Sequence, residues 1–195
     1  MALPSRSKRK IDVKRDIYIF TEGKETEVHY FNALKQKLRV PTLKIRVKGV
    51  GNSGTSLVDY AIQKTKNENK SKIMVWVVFD KDDLTTIEIE KSQKIAKQNS
   101  VNIAFSNTSF ELWLLMHYES IVKGNTYDKK IIFRNLSRNL GISDFNKHKN
   151  DVNLIQSIAE KVSIALNNNL LLIEHSNSIF HSPYTNMHNL IQQLK

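Results

Sequence analysis

The sequence predicts an α/β fold, a parallel β-sheet flanked by helices and followed by a helical C-terminal extension. Three observations carry that expectation. Residues 73–79 form an unbroken apolar run rich in β-branched residues, as in a strand buried on both faces. Shorter apolar runs at 17–20, 43–47 and 101–105 alternate with stretches of helical spacing, an order that builds right-handed crossovers and a parallel sheet. Directly after the longest run the chain turns acidic, at Asp80, Asp82 and Asp83. Ligands of such sheets sit beyond the carboxyl ends of the strands.

Composition narrows the chemistry. A chain of 195 residues holds one sizeable domain. It has no cysteine, which excludes disulfides, thiolate zinc sites and a cysteine nucleophile and suits a reducing cytoplasm. No apolar run reaches membrane-spanning length, and the basic start lacks a signal-peptide core, so no membrane association is expected. The formal net charge of +11 favours a polyanionic partner such as nucleic acid over a merely soluble basic protein.

In chain order, residues 1–15 read as a basic flexible tail and 16–118 as the α/β core. The first strand ends in Thr21-Glu22-Gly23, and a helix starts near Thr26 with Val28, Phe31, Leu34 and Leu38 on one face. Glu25 and Glu27 fall in its first turn, where negative charge suits the helix dipole. That reading is preferred for Glu27, whereas Glu25 is a candidate to join an acidic site. The second strand runs into Gly49, Gly51, Ser53 and Gly54. Such a loop can cradle a phosphate at a helix start, with Ser53 or Thr55 as N-cap, but a tight turn explains it as well. No Gly-Lys-Ser/Thr closes it, so it is not a Walker A loop. A helix over 86–98 and a strand over 101–105 follow.

Residues 106–118 begin with a cap cluster and continue as a strongly apolar helix. Glu111 either closes a capping box with Thr108 or adds an acid near the strand ends. His117 reads as a packed polar group. Beyond residue 118, segments 127–139, 151–167 and 185–194 predict helices packed on the core, and 119–195 is basic at Lys129, Lys130, Arg134, Arg138, Lys147, His148 and Lys149.

Glu22, Asp80 and Asp82 therefore converge from two strand ends. Paired carboxylates repel each other, so a site that holds them suits a cation. Mg²⁺ prefers one or two carboxylates with water and phosphate oxygens, and in phosphodiester cleavage a metal activates water while a further glutamate moves protons.

The pattern resembles the Toprim fold: a strand ending in Glu22, a glycine-bearing loop after strand two, and Asp80-Lys81-Asp82 after strand three. More specifically it is similar to the RloB family, with its AbiLii-type abortive-infection proteins. The matching stretches are Ile19-Phe20-Thr21-Glu22-Gly23 through Thr26-Glu27 and Tyr30-Phe31, then Phe79-Asp80-Lys81-Asp82. Further matches are Ser106-Asn107-Thr108-Ser109-Phe110-Glu111-Leu112-Trp113-Leu114-Leu115 and Ser182-Pro183-Tyr184-Thr185-Asn186-Met187-His188. Thr108 stands where the family often has proline, and Tyr184 where a small residue is expected. The resemblance implies a Toprim-like nuclease dependent on Mg²⁺ or Mn²⁺, with Glu22 as general acid/base and Asp80 and Asp82 as metal ligands. Its substrate would be DNA or RNA, tRNA included, and its setting bacterial anti-phage defence beside an RloA/AbiLi-like ATPase partner. Glu111 matches a family motif without an assigned role.

Two other readings compete. A haloacid-dehalogenase-type phosphatase would use Asp80 as nucleophile, but Leu84 stands where that family needs Thr or Val. A non-catalytic nucleic-acid-binding module, with the acids in a structural or regulatory pocket, would bind nucleic acid equally well after Glu22→Gln.

Overall fold

A computed structural model of the chain describes residues 16–38, 45–174 and 178–195. The basic segment 1–15 and the start of the expected second strand, 43–44, lie outside the described residues. The elements alternate as expected: β1 (Asp16–Thr21), α1 (Thr26–Leu38), β2 (Ile45–Gly49), α2 (Gly54–Lys64), β3 (Ile73–Asp80), α3 (Thr86–Gln98) and β4 (Val101–Asn107). Then come α4 (Phe110–Leu115), α5 (Lys129–Leu140), α6 (Phe145–His148), α7 (Val152–Ala159), α8 (Val162–Glu174), β5 (Tyr184–Thr185) and α9 (Met187–Gln193).

The sheet order is β2-β1-β3-β4-β5. The first four strands are parallel, and β5 is antiparallel to β4. The longest apolar run, β3, is central, as burial on both faces demands. Side chains alternate along it. Trp76 and Val78 join Ile17 and Ile19 of β1 in a core shared with α1, α4 and the C-terminal helices. Val75, Val77 and Phe79 join Tyr18 and Phe20 in the core under α2 and α3. Because the period is two, Asp80 falls on the side of Trp76 and Val78, facing α1 and α4. Glu22 falls on the side of Phe20, facing α2.

Three boundaries differ from the sequence reading. The expected 151–167 helix is two, α7 and α8, separated at Glu160 and Lys161. The apolar helix after β4 is short because the chain turns away at Met116. The segment before the last helix pairs as β5, opposite Ser106 and Asn107. Beside it the Asn186 side chain accepts from Phe105 N at 2.7 Å and donates to Ile103 O at 3.1 Å. The C-terminal motif thus completes the sheet edge, and Ser182 Oγ meets Thr108 Oγ1 at 3.1 Å to brace the turn after β4.

An aromatic cluster locks α1 to α4. Tyr30 packs edge-on against Phe31, Phe110, Trp113 and His117, with ring centroids 5.4–6.5 Å apart. His117 is fully buried, and its Nδ1 lies 3.0 Å from Trp113 O. A carbonyl only accepts, so Nδ1 carries the proton, and Tyr30 Oη–H donates to Nε2 at 2.9 Å. The packed-histidine reading holds.

Burial holds the His117 pKa down at about 3, whereas an unfolded histidine takes its proton near 6.5. The folded value is the lower one, so its stabilising contribution is complete above about pH 6.5 and is lost as pH falls toward 3. The slope is about 1.4 kcal/mol per pH unit inside that window. Urea unfolding at pH 6.5 and pH 5 should therefore show the wild type losing about 2 kcal/mol more than His117→Gln, which keeps a donor and an acceptor but does not titrate. Equal losses in both proteins would refute this.

Candidate active site

At the carboxyl end of the sheet, between the β1–α1 turn, the end of β3 and the start of α4, lies a cleft of about 440 Å³. Glu22, Glu25, Glu27, Asp80, Asp82 and Glu111 line it, together with Lys24, Lys129, Lys149 and Asn150. A larger cavity of about 710 Å³ lies at the opposite end, by the amino ends of β3 and β4. It contains no carboxylate, and ligands of parallel sheets gather at the other edge.

Glu22 follows β1, whose last pair with β3 is Thr21 and Val78. One oxygen, Oε2, accepts from Ser53 Oγ at 2.9 Å and from Asp80 N at 3.2 Å. The glycine loop thus reaches the acids through Ser53. Its glycines have packing reasons of their own. A Cβ on Gly49 would lie 2.6 Å from Lys24 Cα, and Gly51 takes φ +78° under the Lys24 side chain. Gly49, Gly51, Ser53 and Gly54 do not line the cleft. The α2 N-cap is Ser53, but its hydroxyl serves Glu22 rather than the helix.

Asp80 Oδ2 accepts from Phe110 N at 2.9 Å, satisfying a free amide at the start of α4. The helix that carries Glu111 is therefore seated on Asp80. The capping box does not form: Thr108 Oγ1 donates to Tyr127 O instead, and the α4 N-cap is Ser109. Glu111 is left as an acid lining the cleft.

Both of the N-terminal acids of α1 line the cleft. Glu25 is exposed at the rim, whereas Glu27 is partly buried. Glu27 shares the α1 face with the fully buried Tyr30, Phe31 and Leu34, at i+3, i+4 and i+7. That spacing was the signal in the sequence that placed it inward.

The acids crowd each other. Burial, and then the Glu111 charge, push Glu27 up to about 7. Burial with the charges of Glu111 and Glu27 holds Asp80 well above its ordinary value. Burial also raises Glu22, countered in part by the hydrogen bonds from Asp80 N and Ser53. Asp82 stands apart: it is exposed, has φ +31°, and pairs with Lys129 Nζ at 2.5 Å. A non-glycine residue in this region is held against its preference, a strain that clusters at functional sites.

The C-terminal helices form the far wall. Asn150, in the turn before α7, accepts from Thr26 Oγ1 at 3.0 Å. Lys149 lines the cleft beside it.

A family model described as RloB-like protein matches residues 17–194. The chain belongs to the RloB-like family. The match spans all four parallel strands, the acidic cleft and the C-terminal motif at the sheet edge. No curated protein matches the chain, and no solved structure matches it.

As a test of the implied metal, the donor set is chemically apt. These are hard carboxylate oxygens, and a divalent ion would relieve the mutual repulsion that adds to burial in raising Asp80 and Glu27. The spacing is open: among the described residues no three acids or histidines are gathered closely enough to hold an ion. Asp80 and Asp82 would hold it with Glu22 or Glu27 as the neighbouring acids, once Asp82 leaves Lys129.

Proposed function

We propose that this RloB-like chain is a Mg²⁺- or Mn²⁺-dependent nuclease that hydrolyses phosphodiester bonds of DNA or RNA. The observation that carries the proposal is the convergence of Glu22, Glu27, Asp80 and Glu111 from β1, α1, β3 and α4 on one cleft of a strongly basic protein. Burying acids together destabilises a fold, and a site that does so signals function. A bound divalent ion would supply charge neutralisation at a phosphate and an acidified water.

The protein's own groups do the rest. Glu22 is held at Oε2 by Ser53 and the Asp80 amide, so Oε1 is the oxygen left to exchange a proton at the cleft. Burial pushes the Glu27 carboxyl up to about 7, which places it as a second group able to move a proton at the cleft. Lys24 and Lys149 on the rim attract the phosphate backbone. The setting that accompanies this reading is bacterial anti-phage defence in the cytoplasm, with an RloA/AbiLi-like ATPase restraining or licensing the cut.

The test is cleavage of supercoiled plasmid, single-stranded DNA, tRNA and other RNA with Mn²⁺, Mg²⁺ or EDTA, with and without the neighbouring ATPase. Wild-type cutting that requires metal and disappears in Glu22→Gln supports the proposal. Undiminished binding of nucleic acid by Glu22→Gln, with no cutting by either protein under any condition, would favour a binding module instead.

A further inference from the structure

Lys129 is out of place by local rules. It is the first residue of α5, directly after the N-cap Asp128, and Lys130 follows. That helix has no acid in its first turn, so two cations sit at the positive end of the helix dipole, the less favourable end. The N-cap carboxylate of Asp128 accepts from Ile131 N at 2.7 Å at that helix end, and a second carboxylate comes from the cleft. Lys129 Nζ lies 2.5 Å from Asp82 Oδ1, inside a cavity lined also by Glu22, Glu27, Asp80 and Glu111. The other lysines of the cleft lie differently. The Lys24 side chain lies against Gly51, and the Lys149 ammonium lies 6.0 Å from the Phe133 ring centre. Among the described residues, only Lys129 of the three makes a salt bridge.

The partner is equally specific. Asp82 sits at φ +31°, a conformation a free aspartate rarely adopts. Both ends of the pair are half-exposed, 49 % for Lys129 and 39 % for Asp82, so the bond can break without burying a bare charge. Among the described residues no three acids or histidines form a group that could hold an ion.

We propose that Lys129 is a built-in counter-ion exchanged for the divalent ion: it clamps Asp82 in the metal-free cleft, and cation binding releases it. The inference rests on the reading of the cleft as a cation site. It goes further in making one lysine set how much free metal the protein requires. Two positive charges replace one among several carboxylates, which gives the exchange its direction.

The experiment is Mn²⁺ titration of the full chain by calorimetry, for wild type, Lys129→Gln and Lys129→Arg. Lys129→Gln should bind Mn²⁺ roughly fivefold to tenfold more tightly. Lys129→Arg keeps the charge and should bind no more tightly than wild type. In wild type, acetylation of Lys129 by a limiting amine reagent, read by mass spectrometry, should quicken several-fold on adding Mn²⁺, while Lys70 and Lys97 at the far end of the sheet do not change. Unchanged or weaker binding by Lys129→Gln, with acetylation of Lys129 indifferent to Mn²⁺, would overturn the exchange. Absence of Mn²⁺ binding in every protein would overturn it together with the cation site. If binding and acetylation respond as expected but no nucleic acid is cut, the exchange stands and the nuclease proposal falls.

Discussion

Asp80→Asn is expected to fold, to gain stability and to lose cleavage. The carboxamide oxygen can still accept from Phe110 N, so the seat of α4 survives. What disappears is a carboxyl whose ionisation is opposed by burial and by the charges of Glu111 and Glu27. Removing it should stabilise the metal-free protein by on the order of 1 kcal/mol, because sites tuned for chemistry are held at the expense of stability. For a domain of this size that raises Tm by about 2–4 °C. Metal-dependent cleavage should fall on the order of 10³-fold or more. Thermal unfolding in EDTA beside a cleavage assay reads both effects. A variant that unfolds earlier than wild type would mean that Asp80 is chiefly a helix cap, and one that still cuts would remove Asp80 from the site.

The second large effect lies outside the cleft. Trp113→Ala should lower stability by about 3–5 kcal/mol, since it empties a fully buried aromatic position where α1 meets α4. That corresponds to a fall in Tm of roughly 6–20 °C. The same cluster sets where Glu27 and Glu111 stand, one from each helix, so residual folded protein should also cut poorly. Trp113→Phe is the control. Among the described residues the indole Nε1 has no hydrogen-bond partner, so the cost should be much smaller. Equal effects of Ala and Phe, read from urea midpoints, would place the loss in something other than volume.

The sheet was legible because its signals are redundant. An apolar run as long as β3, fed by shorter runs with helices between, leaves few topologies open. Glu22, Asp80 and Asp82 could be read as one edge because parallel strands end on the same side. The rest depended on geometry that spacing does not carry. Glu27 looked like an ordinary dipole acid, and only its register with Tyr30 and Phe31 points it inward. Glu111 read equally as half of a capping box or as a further acid near the strand ends, and only the structure separates the two, because Asp80 supplies the acceptor at that helix start from another strand. Lys129 is nearly fifty residues from Asp82, and no local pattern pairs them. The two-residue β5 is equally invisible to periodicity, because tertiary pairing at the β4 edge decides it.

The most direct test of the central claim, that this cleft is a divalent-cation site, is thermal unfolding of the wild type and Asp80→Asn across a Mn²⁺ series. The account predicts that wild-type stability climbs with Mn²⁺, by about 2.7 kcal/mol at a hundredfold excess over Kd, while Asp80→Asn responds weakly or not at all. Identical curves for the two proteins, or no response in the wild type at millimolar Mn²⁺, would contradict it.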